Sequence, residues 1–224
     1  MIISFSLWGN DERYTKGAIA NGHLAKTVYP GWDCWFWVGA DVSREVQDVL
    51  RTLGRVLEMP PGNWRGMFWR FFPAAYDEPV IVRDTDSRLS FRERMAVDEW
   101  LAGDKDFHIM RDHPYHAVPI LGGMWGSRKG LFPDIHRETQ KFTDDRWQVD
   151  QDFLAEYAYP KIVDRACVHD EFFEHRPFPF SKRDPRFFVG QAYDGDGKVL
   201  DGDGYFNDYF REEYDYFREC YGEG

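Results

Sequence analysis

Val80-Ile81-Val82-Arg83-Asp84-Thr85-Asp86-Ser87-Arg88-Leu89-Ser90-Phe91-Arg92-Glu93 is the stretch whose reading decides the fold. Val80–Val82 is a continuous apolar run bounded by Pro79, the pattern of a strand buried on both faces. It leads straight into the acidic turn Asp84-Thr85-Asp86. Ser90 and Glu93 then have the spacing of a capping box, the hydroxyl accepting from the amide three residues on while the carboxylate reaches back. That opens a helix through Leu101. The unit is strand, acidic turn, helix, and in open α/β sheets ligands sit beyond the carboxyl ends of strands.

Working outward, strands are expected at Ile2–Leu7, Cys34–Val38, Arg55–Met59, Phe107–Met110, Ile120–Trp125 and Ala166–His169. Helical spacing covers Glu12 to Tyr29, Ser43–Leu53, an aromatic segment Trp64–Tyr76 bent at Pro73, and Val149–Tyr157. Strands alternating with helices predict a mostly parallel central sheet flanked by helices, an α/β architecture. A chain of 224 residues suits one such domain, expected over 1–195, with 196–224 as an acidic, aromatic tail docked on it. Within the tail region, Asp194-Gly195-Asp196-Gly197 resembles a calcium loop only superficially. Its fifth position is Lys198 and its sixth, which must be glycine, is Val199, so a solvated turn is expected.

Composition narrows the function classes. The net charge is −11 and no basic run exists, which argues against a nucleic-acid partner. An acidic chain that handles phosphates has to bring its own cation, from a local Arg or Lys or from a metal. The 18% aromatic content suits stacking on sugars or bases as well as core packing. Three scattered cysteines without a CxxC pair suit a reduced, cytoplasmic protein. No stretch approaches the ~20 apolar residues of a membrane span.

The acidic turn carries the chemistry. Two carboxylates one residue apart can share a hard divalent cation, Mn²⁺ or Mg²⁺, which neutralises a diphosphate leaving group. Asp is common in turns, but the apolar strand before it and the flanking Arg83 and Arg88 sharpen the metal reading. His169, at the end of an expected strand, is a candidate third ligand because imidazole suits Mn²⁺; a hydrogen-bonded, partly buried His is the alternative. Asp150, Gln151 and Asp152 on the first turn of a helix could bond sugar hydroxyls or steady an oxocarbenium ion, or could simply complement the helix dipole. In Arg111–His116, Asp112 or His113 could face an acceptor as a base, and Trp125 could stack on a sugar.

The order Met67-Phe68-Trp69-Arg70-Phe71, Val80–Ser87, Gly122-Gly123-Met124-Trp125-Gly126, Asp150-Gln151-Asp152-Phe153-Leu154, His169 resembles the GT-A glycosyltransferases over roughly residues 1–190. It is most similar to the glycogenin-like and lipopolysaccharide-galactosyltransferase-like families, and it also looks like the small glycosyltransferases of large algal viruses. The resemblance implies a GT-A (Rossmann-like) fold, a nucleotide-diphosphate sugar donor with UDP favoured, and a glycan or other hydroxyl acceptor. It further implies that Asp84, Asp86 and His169 hold the metal, and that Asp84 also meets the ribose. Ser6, Leu7 and Trp8 would line the base pocket, and Arg70 would reach the donor phosphate or sugar. Gly122 and Gly123 would lie beneath the donor sugar, and Asp150, Gln151 and Asp152 near the anomeric centre. If transfer inverts, Asp112, Asp150 or Asp152 would act as general base.

Three departures accompany the resemblance. Arg83 replaces the usual Leu and would stand beside the donor. Gly122-Gly123-Met124 replaces Asn-Ser-Gly. The His-x-x-Gly-x-x-Lys signature is missing, which leaves Lys182 or Arg183 to supply a phosphate-binding cation. Two other classes stand beside this reading: a non-catalytic sugar-binding protein on the same fold, and a haloacid-dehalogenase-like phosphatase, whose Asp-x-Asp normally follows the first strand.

Overall fold

A computed structural model of the chain describes residues 1–182 and 184–222. Its seven strands are β1 (Ile2–Leu7), β2 (Asp33–Gly39), β3 (Arg55–Met59), β4 (Val80–Arg83), β5 (Phe107–Arg111), β6 (Met124–Ser127) and β7 (Ala166–Asp170). They form one sheet in the order β3-β2-β1-β4-β6-β5-β7. Every neighbouring pair is parallel except those of β6, which runs antiparallel between β4 and β5. The acidic turn thus follows the fourth strand, at the centre of the sheet.

The helices are α1 (Glu12–Val28), α2 (Arg44–Leu53), α3 (Phe91–Ala102), α4 (Ile135–Thr139), α5 (Val149–Phe153), α6 (Tyr159–Ile162) and α7 (Phe206–Tyr221). The aromatic segment Trp64–Ala75 is a 3₁₀ helix carrying Pro73, not an α-helix. The helix expected to run from Val149 to Tyr157 is α only to Phe153 and continues as a π segment over Leu154–Ala158. The strand expected at 120–125 begins at Met124; Gly122 and Gly123 precede it, and glycine has no side chain to pack on a pleated surface.

Helices cover both faces. On one, Val80, Val82, Phe107, Ile109, Trp125 and Val168 pack against the 3₁₀ segment, α4 and the α5–α6 stretch. On the other, Ile3, Phe5, Leu7, Phe36, Val38 and Ile81 pack against α1, α2, α3 and α7. Successive strand residues point to opposite faces, and this parity decides the fate of several candidate residues.

α3 starts as its sequence indicates, with Ser90 Oγ accepting from the Glu93 amide at 3.3 Å. The reciprocal half of the capping box is absent, because Glu93 is drawn to Arg83 and Tyr29 instead. The open first-turn amides go to α7. Glu213 accepts from Phe91 N at 2.8 Å and from Arg92 N at 3.0 Å. Phe210, Tyr214 and Phe217 of α7 lie against Phe91.

Candidate functional site

β1 sends Ser6 to the 3₁₀ face, and β4 ends by sending Asp84 the same way. Between them stands Arg70, on the 3₁₀ segment and 4% exposed. Its Nη1 donates to Ser6 Oγ at 3.2 Å and its Nε to the Gly122 carbonyl at 3.3 Å. Its Nη2 donates to Asp150 Oδ2 at 2.9 Å and lies 3.0 Å from Asp84 Oδ1. A guanidinium has five N–H groups, so Arg70 is nearly fully committed to building the site.

The two glycines are required by close approach. A Cβ on Gly123 would stand 2.1 Å from Asp84 Oδ2, and one on Gly122 would stand 2.2 Å from Asp150 Oδ2 and 2.8 Å from Arg70 Nη2. A side chain at 122 would displace Asp150, and one at 123 would displace Asp84 and press on its backbone. Ser6, Arg70, Asp84, Gly122, Gly123 and Asp150 therefore form one cluster at the carboxyl ends of β1 and β4.

Asp86 stands at the edge of this cluster, close enough for the Asp84 charge to act on it. Burial raises its carboxyl above the usual range, the Asp84 charge adds to this, and Arg13 opposes it. Arg13 Nη2 donates to Asp86 Oδ2. Asp150 is pushed up to about 6, chiefly by burial; Arg70 works against the shift and the Asp84 charge works with it.

Beyond β1 the chain is bracketed by Asp41, whose carboxylate accepts from Gly9 N at 2.7 Å and Gly62 N at 3.0 Å. This clamps the loops after β1, β2 and β3 around Trp8, which is half-buried and edge-on to Trp64 and Trp69 at 6.3 Å each. Gly62 and Gly66 lie against Trp8, where a Cβ would stand 2.5 and 2.9 Å from the nearest indole atoms. Trp8 is thus a fixed aromatic wall next to Ser6. Leu7, with the opposite parity, is buried in the core on the α1 side. A groove of about 610 Å³ between Val38–Val42 and α2 is lined by none of the clustered carboxylates.

Several expectations meet other partners. Arg83 is 1% exposed and turns to the α3 face, where it donates to Glu93 Oε1 at 3.1 Å; strand parity points it away from the side that Asp84 takes. His169 also lies on the α3 face. Its Nδ1 is 2.8 Å from His108 Nε2 and its Nε2 is 3.4 Å from Glu99 Oε1. Both ring nitrogens are engaged there, and burial holds the ring's pKa down. Among the described residues no group of three or more His, Cys, Asp or Glu is placed to hold a metal.

Asp152 is paired with Arg146 at the surface, and Gln151 is half-buried between it and Asp150. Trp125 is fully buried between Phe71 and Phe107 and cannot stack on a ligand. Asp112 is 0% exposed and locked by Arg92, so it is no base. Lys182 is taken up by Asp112 at 3.0 Å; Arg183 lies outside the described residues. Arg88 holds the acidic turn by donating to the Thr85, Ser87 and Asp194 carbonyls. Asp194 Oδ1 accepts from the Asp196 and Lys198 amides, the solvated turn its sequence implies. The residues that the sequence reading missed are Arg13 and Asp41. Both act across the fold, and no local motif marks them.

No protein-family model and no curated protein matches the chain. Solved structures do. The chain is similar to a glycosyltransferase involved in glycosylating the major capsid of PBCV-1 (TM-score 0.52, 14% identity, 77% of this chain and 82% of that one). It is similar to the galactosyltransferase LgtC in complex with donor and acceptor sugar analogues (TM-score 0.50, 17% identity, 77% and 74%). It is also similar to the mannosyltransferase PcManGT from Pyrobaculum calidifontis in complex with GDP-Man and Mn²⁺ (TM-score 0.50, 14% identity, 81% and 57%). With the mixed seven-stranded sheet and helices on both faces, these likenesses identify the architecture of the chain as the GT-A fold.

Proposed function

We propose that this protein is a metal-dependent glycosyltransferase that moves a sugar from a nucleotide-diphosphate carrier, UDP favoured, to a glycan or other hydroxyl acceptor. One observation carries the reading: Asp84 and Asp150 share Arg70 over two closely approached glycines at the carboxyl ends of the central strands, with Asp86 at the edge and near enough to feel the Asp84 charge. The likeness to glycosyltransferases with sugar donors bound supports it.

Mn²⁺ or Mg²⁺ fits Asp84 and Asp86. Two hard carboxylates repel one another there, and such ions are commonly held by one or two carboxylates plus substrate phosphates. When bound, the ion supplies charge neutralisation of the departing diphosphate. The rest is done by the chain. Trp8 gives the nucleobase a rigid face beside Ser6. Gly122 and Gly123 let the backbone lie against Asp150 and Asp84, beneath where the donor sugar would sit. Arg70 fixes Asp84 and Asp150 relative to one another, so the negative charge facing the reacting carbon is in place before substrate arrives. Asp150 is the residue of the Asp150–Asp152 segment that belongs to this centre; Asp152 is held outward by Arg146.

The test is thermal stability with Mn²⁺ and a panel of UDP, GDP, CMP and TDP, since a ligand of the native state raises the melting temperature by mass action. One nucleotide should give a Mn²⁺-dependent rise that Asp86→Ala removes. No rise with any nucleotide would sink the donor-site reading.

A further inference from the structure

The second residue of α1 is an arginine, and its position is electrostatically awkward. Asp11 caps the helix and Arg13 sits in its first turn, where the exposed amides favour negative charge and disfavour a cation. What it gains is Asp86, to which its Nη2 donates across 73 residues of sequence. The Asp86 side chain is 15% exposed and that of Arg13 33%, so the pair lies at the mouth of the carboxylate cluster and is not sealed in the core. Tyr14 stands beside it, with the guanidinium 5.1 Å from the ring centre. The Arg13 Nε is buried and has no hydrogen-bond partner. A buried, unpaired donor on a charged group is costly to leave unmade, and this one stands beside the turn where a diphosphate would lie.

Among the described residues, the other cations of the site are already taken. Arg70 is committed to Ser6, Gly122, Asp84 and Asp150, Arg88 to the Thr85, Ser87 and Asp194 carbonyls, and Lys182 to Asp112. We infer that Arg13 is a resident counter-ion of Asp86 that gives this carboxylate up to a divalent cation and passes to the diphosphate of the incoming nucleotide. The inference rests on the donor-site reading above. Its consequence is a site that binds metal weakly until nucleotide arrives. Metal alone has to displace Arg13 with nothing to receive it, whereas metal with a nucleoside diphosphate gives the guanidinium an anionic partner that matches its fork.

The experiment is calorimetric titration of wild type, Arg13→Ala and Arg13→Lys with Mn²⁺ alone, then with UDP and GDP at saturating Mn²⁺. Ligand-free melting temperatures report whether each variant folds. Removing Arg13 should move the two affinities in opposite directions. Mn²⁺ alone binds about five-fold tighter to Arg13→Ala, the worth of a partly exposed ion pair. The nucleotide binds about ten-fold weaker or more, the worth of a charge-assisted contact. Arg13→Lys recovers part of the nucleotide affinity, since lysine holds phosphate as a point charge. A residue that merely pins α1 to the turn would lower the melting temperature and leave both affinities unchanged or weaken both together; either result overturns the exchange. Wild-type protein that binds neither Mn²⁺ nor nucleotide sinks the donor-site reading and the exchange with it. Normal wild-type binding that Arg13→Ala does not alter sinks the exchange alone.

Discussion

Carboxylates follow β4, β5 and β7, and they differ in how completely they are satisfied. Asp112, after β5, accepts from Arg92 through both oxygens at 2.9 Å, from Val189 N at 3.0 Å, and meets Lys182 at 3.0 Å. Asp170, ending β7, accepts from Arg111 at 2.6 Å and from Phe172 N and Phe173 N at 2.8 Å each. Both are 0% exposed. After β4, Asp84 has a side chain 41% exposed and, among the described residues, one ionic partner, which it shares with Asp150. Asp86 has Arg13 alone among its ionic partners in the described residues. Residue type and strand-end position are the same in all these cases, and donor count separates them. A saturated carboxylate is part of the scaffold, and an unsaturated one retains capacity for something that arrives later.

The sharpest way to break this comparison is to delete one member of each class. Asp112→Ala takes the bidentate partner from buried Arg92, which keeps only Glu171 and the Phe180 carbonyl, and should cost about 3 kcal/mol of stability by denaturant unfolding. Asp84→Ala should change stability by about 1 kcal/mol or less, because the group is exposed, while abolishing Mn²⁺-dependent nucleotide binding. Similar unfolding costs for the two would erase the distinction.

A second test uses pH on the intermediate case. Asp150 titrates near 6 in the folded chain against an ordinary value of 3.8, so the folded state holds the extra proton between these limits. Stability carried by this group is therefore greatest at the acid end of the window and declines as pH rises from about 4 to 6. The span is about 3 kcal/mol. Asp150→Asn should flatten the profile in that window, and an unaltered profile would place the titration elsewhere. The smallest effect is expected from His169→Gln: Mn²⁺ affinity at saturating nucleotide should change less than two-fold, measured by calorimetry. A ten-fold loss would return His169 to the metal.

The strand–turn–helix unit at 80–101 was legible because an apolar run, an acidic pair and a serine cap are local signals. So was the set Arg70, Gly122, Gly123 and Asp150 as candidates, through its order along the chain. What could not be read was which face each strand residue takes. Arg83 and Asp84 are neighbours that part company at the sheet, and His169 shares the face of Arg83. Parity along one strand is visible in a sequence, but the register that relates it to other strands is not. Trp125 and Lys182 were misplaced for a related reason, since nothing local distinguishes an aromatic or a cation that meets a ligand from one that meets Phe107 or Asp112. Arg13 was missed because its partner is 73 residues away.

Glu213 gives this architecture a schedule as well as a shape. The helix that follows the acidic turn receives the carboxylate for its first two amides from a residue 122 positions downstream of Phe91. At about 5–20 residues per second of synthesis, that interval is roughly 6–24 seconds. During that time the central strands can pair while the first turn of α3 lacks the carboxylate that accepts from its amides. Without Glu213, the Phe91 and Arg92 amides at the start of α3 would lose the carboxylate that accepts from them. The carboxylate of α7 therefore sets the start of α3 late, joining it to a segment made long after the central strands.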